Sequence, residues 1–270
     1  MKKYIAIATL LAAGSAFANA AIETELLWHL NFSGETPALS TLSTGEGNLS
    51  HNSGTISSDG WTDGVGSYTT TKGNSNTTLL LSTTGDEVLT STSSFTISFH
   101  AKYNGGNSNY PELLSIGGSN GNHWKLAYYA NDTKLVLDKD GNYTAGGGNN
   151  PLASNTSPSS DWAAYALTFN GSTGAVTLYI NGVEQNTVAA TASTSISEFR
   201  FGERVNGKTG NSSSLTFSDI AIYSGVLEAD QIVYLSNNKA NASAIPEPSM
   251  FGLLAGLGAL ALVGTRRRRK

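Results

Sequence analysis

Over residues 95–103 the chain alternates strictly between apolar and polar side chains. Phe95, Ile97, Phe99, Ala101 and Tyr103 fall on one face, and Thr96, Ser98, His100 and Lys102 on the other. A period of two is the strand period, because successive Cβ atoms point to opposite faces of a sheet. The segment therefore reads as an antiparallel strand with one face in a core and the other toward water. The same signature recurs over 25–32, 112–116, 123–130, 134–137, 162–169, 175–180, 198–201 and 215–223. Turn dipeptides stand between them: Asn131-Asp132, Asp140-Gly141, Asn170-Gly171 and Asn181-Gly182, residues that accept the positive φ of tight hairpins. One short helix is predicted over 227–235, where Leu227, Ile232 and Leu235 share a face. The fold class is all-β, an antiparallel β-sandwich or jelly roll.

The two ends of the 270-residue chain follow a different logic. Lys2 and Lys3 precede an apolar run over 4–13 and a small-x-small site, Ala18-Asn19-Ala20. That order predicts a signal peptide over 1–20, cleaved after Ala20. At the other end Pro246-Glu247-Pro248 precedes residues 249–265, which carry no charge, and then Arg266, Arg267, Arg268, Arg269 and Lys270. As a helix, 249–265 would span about 25 Å, close to the roughly 30 Å hydrocarbon core of a bilayer. The basic cluster then sets the end in the cytoplasm and the body outside.

The triplet, short span and basic end resemble the PEP-CTERM sorting signal of Gram-negative bacteria, whose defining motif Pro246, Glu247 and Pro248 match residue by residue. The resemblance implies removal of the tail by an exosortase-type membrane protease, followed by release to, or attachment at, the cell surface. The two prolines hold the triplet extended and remove two backbone donors, so a protease groove can read it as a strand.

Between the ends, 21–245 is long enough to bury one all-β core. The expected layout is a sandwich over 21–240, a linker over 241–248 with the triplet, a transmembrane segment over 249–265 and a basic tail over 266–270. The body carries nine basic residues against nineteen acidic ones. It therefore has no basic stripe for a phosphate backbone, which argues against nucleic acid as a partner. The chain has no cysteine, which excludes disulfides, thiol chemistry and Cys-based zinc sites.

The run from Trp162 to Val183, Trp-x-x-Tyr-x-Leu-Thr-Phe-Asn-Gly-Ser-Thr-Gly-x-Val-Thr-Leu-Tyr-Ile-Asn-Gly-Val, resembles the central hairpin of laminin-G-like, concanavalin A-like lectin/glucanase domains. The strand at 95–103, the segment 217–223 and the Leu227 to Ile232 helix follow in the family's order. The resemblance implies two antiparallel sheets and a role in binding carbohydrate or protein. Before Phe95 it is weak, and the early strands are placed only by expectation.

Glycosidases of that superfamily carry Glu-x-Asp-x-Glu on a strand, because retaining hydrolysis needs two carboxyls about 5 Å apart. This chain has no such motif. Its nearest approach, Glu228-x-Asp230, reads as helix, where i and i+2 diverge. His29, His51, His100 and His123 have no Ser/Asp partners at recognisable spacing and read as surface or structural residues. Asp138, Asp140 and Asn142 offer hard oxygen ligands suited to calcium, but Asp140-Gly141 between strands also makes an ordinary hairpin turn. No cofactor is required, with calcium as the open possibility.

Trp61, Tyr68, Tyr110 and Tyr143 sit in Gly/Asn/Ser/Thr-rich segments and are the candidate ligand-binding aromatics, whereas Trp28, Trp124 and Trp162 read as core. The sequence thus points to a non-enzymatic exported surface or matrix protein that binds glycan or protein. An atypical glycoside-active enzyme and a purely structural biofilm protein are the alternatives.

Overall fold

The computed structural model describes residues 26–32, 39–41, 47–51, 54–70, 79–83, 89–90, 92–106, 111–117, 123–129, 133–139, 152–189, 195–202 and 213–240. The segments expected to form the signal peptide, the sorting motif, the 249–265 span and the basic end lie outside them. Among the described residues no helix is long and apolar enough to cross a membrane.

In chain order the strands are β1 (Leu26–Leu30), β2 (Leu39–Thr41), β3 (Gly47–His51), β4 (Thr55–Ser57), β5 (Ser67–Thr69), β6 (Leu79–Thr83), β7 (Leu89–Thr90), β8 (Phe95–Gly106) and β9 (Glu112–Gly117). They continue as β10 (His123–Tyr129), β11 (Lys134–Lys139), β12 (Ala153–Ser154), β13 (Ala163–Asn170), β14 (Ala175–Ile180), β15 (Val183–Ala189), β16 (Ser195–Ile196), β17 (Glu198–Phe201) and β18 (Ser213–Ser224). Helix α1 (Ala229–Asn237) closes the series. A nine-stranded sheet runs β15-β14-β13-β8-β18-β1-β2, with β5 on β18 and β4 on β5. A seven-stranded sheet runs β12-β11-β10-β9-β17-β6-β3, and β16 pairs with β7 separately. Every pairing is antiparallel.

The main core lies between the two large sheets and is filled by the alternate residues that the sequence pattern sets on one face. Phe95, Ile97, Phe99 and Ala101 of β8 meet Tyr165, Leu167 and Phe169 of β13 there. Aromatic rings join the layers: Trp124 of β10 stacks on Phe169 at 5.2 Å, and Phe201 of β17 stands edge-on to Phe99 at 5.7 Å. Tyr128 and Tyr165 share a buried hydroxyl hydrogen bond at 2.8 Å across the same gap. Each such aromatic contributes roughly 2 kcal/mol through the area it removes from water.

The opposite face of β8 departs from expectation. Thr96, Ser98 and His100 are buried rather than solvated, because other parts of the chain lie over this face of the nine-stranded sheet. A second apolar cluster forms there, in which Leu227, Ile232 and Leu235 pack on Ala166, Tyr179, Ala221 and Tyr223. Alanine at 166 and 221 leaves the backbone accessible, so a helix can lie close to the sheet. The helix starts two residues later than predicted, with the Glu228 amide donating to Gln231 Oε1 at 2.9 Å in a capping box. Glu228 and Asp230 therefore serve the helix N-terminus, where acidic groups are favoured by the macrodipole.

Two aromatic assignments are corrected. Tyr68, a candidate ligand contact, is 0% exposed and stacks near Phe32 in the core. Trp162, read as core, is half-buried at the start of β13, with Lys102 Nζ 4.8 Å from its ring centroid. Trp28 and Trp124 are core residues as expected.

Candidate functional site

The most elaborate polar site stands on the outer face of the nine-stranded sheet, and a bulge creates it. Ser218 pairs with His100 and Ala221 with Ser98, so Asp219 and Ile220 of β18 oppose one residue of β8. Asp219 takes φ +51°, the left-handed conformation a bulge residue needs and that Asp tolerates better than most. Ile220 goes to the main core while the Asp219 carboxylate turns to the outer face, 2% exposed.

Three parts of the chain donate to that carboxylate. His29 Nε2 on β1 lies 2.6 Å from Oδ1, Trp61 Nε1 donates to Oδ2 at 3.2 Å, and the Ala240 amide donates to Oδ2 at 2.9 Å. Trp61 is half-buried, and its ring lies parallel to that of His100, centroids 3.8 Å apart with 2° between planes. His100 Nε2 faces the Ser236 carbonyl at 3.5 Å, and its buried Nδ1 has no hydrogen-bond partner among the described residues. Burial lowers the His100 pKa from 6.5 to about 4, against the opposing pull of Asp219 and the Ser236 carbonyl. The ring is therefore neutral at neutral pH and stacks as an uncharged surface.

The loop carrying Trp61 is held at several points. Ser218 Oγ donates to the Gly66 carbonyl at 2.6 Å and accepts the Trp61 amide at 3.3 Å, while Ser67 Oγ donates to the Asp59 carbonyl at 2.6 Å. The Gly66 amide donates to Asn31 at 2.8 Å. Ser218 Oγ thus joins the Trp61 loop to β18 through both a donated and an accepted hydrogen bond. The arrangement fixes an indole, with one ring face against His100 and the exposed Asp59 and Asp63 in the same loop. A rigid half-exposed tryptophan flanked by carboxylates can stack on an apolar sugar face and accept hydrogen bonds from hydroxyls.

Of the other expected site residues, Tyr110, Tyr143, Asp140 and Asn142 lie outside the described residues, and Asp138 lies on β11 opposite Lys125. Among the described residues no group of three or more His, Asp or Glu is placed to hold a metal. On the seven-stranded sheet two acids have cations beside them: Glu112 lies 3.3 Å from the buried Lys125 Nζ, and Glu198 lies 3.1 Å from Arg200. Residue types and spacing single out Trp61 as a candidate but give no sign of its partners His29, His100 and Asp219. A signal for the bulge was present: the apolar phase runs Leu215, Phe217 and then Ile220, Ile222, a step of three where a regular strand takes two.

A two-sheet antiparallel sandwich with one helix on an outer face defines the class of the protein. The chain belongs to the concanavalin A-like lectin/glucanases superfamily, whose laminin-G profile matches residues 72–233. The PEP-CTERM protein-sorting motif matches residues 244–269, which marks an exported protein with a C-terminal sorting signal. No curated protein matches the chain. Similar solved structures include the botulinum neurotoxin serotype G binding domain, at 15% identity and TM-score 0.56 over 78% of this chain and 50% of that one. The binding domain of Paraclostridial Mosquitocidal Protein 1 is 18% identical, with TM-score 0.56 over 79% of this chain and 52% of that one. The binding domain of botulinum neurotoxin DC, solved with rat synaptotagmin II, is 17% identical, with TM-score 0.56 over 79% and 51%. The chain spans about half the length of these structures, and the likeness is one of fold.

Proposed function

We propose that the protein is a non-catalytic surface or matrix module that binds carbohydrate or protein after its tail has been removed by an exosortase-type membrane protease. The observation that carries the sorting half is the junction: the body is pinned at Ala240 to Asp219, and the sorting motif begins at residue 244. Residues 249–265 hold the chain in the inner membrane until cleavage, with the basic end in the cytoplasm. Mass spectrometry of the protein recovered from its host tests this. Loss of the peptide carrying residues 266–270 is the expected result, and its retention by Glu247→Gln ties the loss to the motif. A wild-type protein that keeps its arginines overturns the reading.

The binding half rests on Trp61. Its indole is preorganised by His100 and Asp219, and the loop that presents it carries two exposed acids. The exported protein is expected to bind members of a glycan array, with Asp63→Ala weakening binding at least threefold without changing the melting temperature. No binding with or without calcium sinks the glycan reading and leaves a protein partner. The absence of Glu-x-Asp-x-Glu on any strand of the sequence supports a non-catalytic role, and release of reducing sugar by the purified protein would overturn it.

A further inference from the structure

Beside the Trp61 loop, the outer face of the nine-stranded sheet presents a half-buried cation. Side chains two apart on a strand share a face, so Lys102 lies on the same outer face of β8 as His100, against whose ring the Trp61 indole stacks. Along the strand the two positions are roughly 7 Å apart. Trp162 aims the ammonium: Nζ lies 4.8 Å from its ring centroid, a cation–π contact that holds the charge without neutralising it. Lys125 and Arg200 each have a carboxylate within 3.3 Å, whereas Lys102 has no ion-pair partner among the described residues. On a body with nineteen acidic residues against nine basic ones, such a lysine complements an anion brought from outside.

The floor next to Lys102 is polar and held in place. Thr216 of β18 is the register partner of Lys102, and Thr69 of β5 is the register partner of Thr216. The two hydroxyls share a hydrogen bond at 2.8 Å, and Asn104 Nδ2 donates to Thr216 Oγ1 at 2.8 Å. Asn104 is exposed, and its Oδ1 has no hydrogen-bond partner among the described residues. The half-buried Thr69 hydroxyl, with one hydrogen and two lone pairs, uses one of these three positions there.

A sugar matches this surface better than a peptide does. Protein interfaces centre on apolar anchors in desolvated pockets, whereas here a flat indole is followed by an ammonium, an amide and a hydroxyl. The exposed acids around it, Asp59 and Asp63 in the Trp61 loop and Asp161 next to Trp162, disfavour a densely charged chain and leave room for widely spaced carboxylates. We propose that the ligand of the Trp61 site is an acidic glycan, a chain of mostly neutral sugars with isolated uronate carboxylates, one of which takes the Lys102 ammonium while neighbouring hydroxyls take Asn104 and Thr69. The inference rests on the glycan reading of Trp61 and names the class of glycan. Lys102 selects for charge, and Trp162 positions it.

The test is an array of uronate-containing oligosaccharides, the same oligosaccharides with their carboxyls methyl-esterified, neutral oligosaccharides and an acidic peptide, probed with the exported protein. The acids are expected to bind about tenfold more tightly than their esters, since the charge-assisted bond goes with the carboxylate. Lys102→Gln should bring that ratio close to one by weakening the acids alone. Lys102→Arg keeps the charge and should retain the ratio, so a loss confined to Lys102→Gln is not one of folding. Esters that bind as well as the acids overturn the inference and leave the Trp61 reading in place, as does a preference for acids that survives Lys102→Gln. An array with no bound glycan removes the Trp61 reading itself. Binding to the acidic peptide above every sugar overturns the inference in favour of a protein partner.

Discussion

Asp219 accepts the backbone amide of Ala240 at 2.9 Å, so the last described residue before the sorting motif is fixed to the bulge of β18. The same carboxylate holds His29 and Trp61, and it thus ties the first strand, the Trp61 loop and the residue that ends the segment after α1 to one atom group. Six further residues reach Pro246, at most about 20 Å of extended chain. The folded body therefore sets how far the sorting motif can stand from the sheet.

Replacement of Asp219 should be among the costlier single changes in the outer site. Asp219→Ala leaves the Trp61 Nε1 and Ala240 amide without their acceptor and puts a residue poorly suited to φ +51° in the bulge. The expected loss is about 3 kcal/mol, or roughly 6–12 °C in melting temperature for a domain of this size. Asp219→Asn keeps one acceptor and tolerates the backbone, so it should lose less. Thermal unfolding of both variants checks the order, and equal losses would contradict the hydrogen-bond account.

Acid should weaken the same region through His100. Its folded pKa of about 4 lies below the ordinary 6.5, so the unfolded chain takes up the proton more readily. Stability from this residue is complete above about pH 6.5, falls as the pH drops toward 4, and is flat below that. The full difference is about 3 kcal/mol. Melting curves at a series of pH values should show His100→Gln losing less between pH 7 and 4 than the parent. Parallel curves would mean that His100 does not govern the acid limb.

Much of this architecture is legible in the sequence, and what escapes does so for a physical reason. From Phe95 onward the longer strands β8, β9, β10, β11, β13, β14, β17 and β18 follow from period-two patterning and the Asn170-Gly171 and Asn181-Gly182 turns, both local signals, and the 175–180 and 198–201 bounds are reproduced. Strand β15 follows the predicted Asn181-Gly182 turn but has no apolar alternation of its own, since six of its seven residues are exposed. The early strands are short and find distant partners: Ser67–Thr69 pairs with β18, and Gly47–His51 with β6. Tyr68 reads as a loop residue because nothing nearby in sequence reveals that β18 will cover it. The site has the same property, since His29, Trp61, His100 and Asp219 meet only after β1, β8 and β18 have paired.

The buried pair on the seven-stranded sheet offers a test of a different kind. Lys125 is 0% exposed and Glu112 side chain 7%, with Nζ and Oε1 3.3 Å apart. Lys125→Met removes a cation from beside a buried carboxylate and should cost about 3–5 kcal/mol. Joint replacement with Glu112→Leu should recover most of that, because neither charge then has to be desolvated. Denaturant unfolding of the two single variants and the double variant measures the coupling. A double variant as unstable as the sum of the singles would show that the two side chains act through separate partners.

The turn between β14 and β15 joins local backbone demand to tertiary packing. Asn181 at φ +51° and Gly182 at φ +77° form the paired left-handed turn that Asn-Gly predicts. The Asn181 amide donates to Ala164, and Asn181 Oδ1 accepts the Ala164 amide at 2.9 Å, so the turn is stapled to β13. A Cβ at 182 would stand 2.9 Å from Ser236 Oγ and 3.2 Å from the Val233 Cα, and the second of these is helix backbone that cannot swing away. Gly182→Ala thus combines an unfavourable φ with a displaced helix and should cost about 2 kcal/mol, more than the roughly 1 kcal/mol of backbone strain alone. Pairing it with Ser236→Gly relieves only the side-chain contact. Recovery of a few tenths of a kcal/mol is therefore expected, and recovery of the whole loss would place the strain in the serine rather than in the backbone.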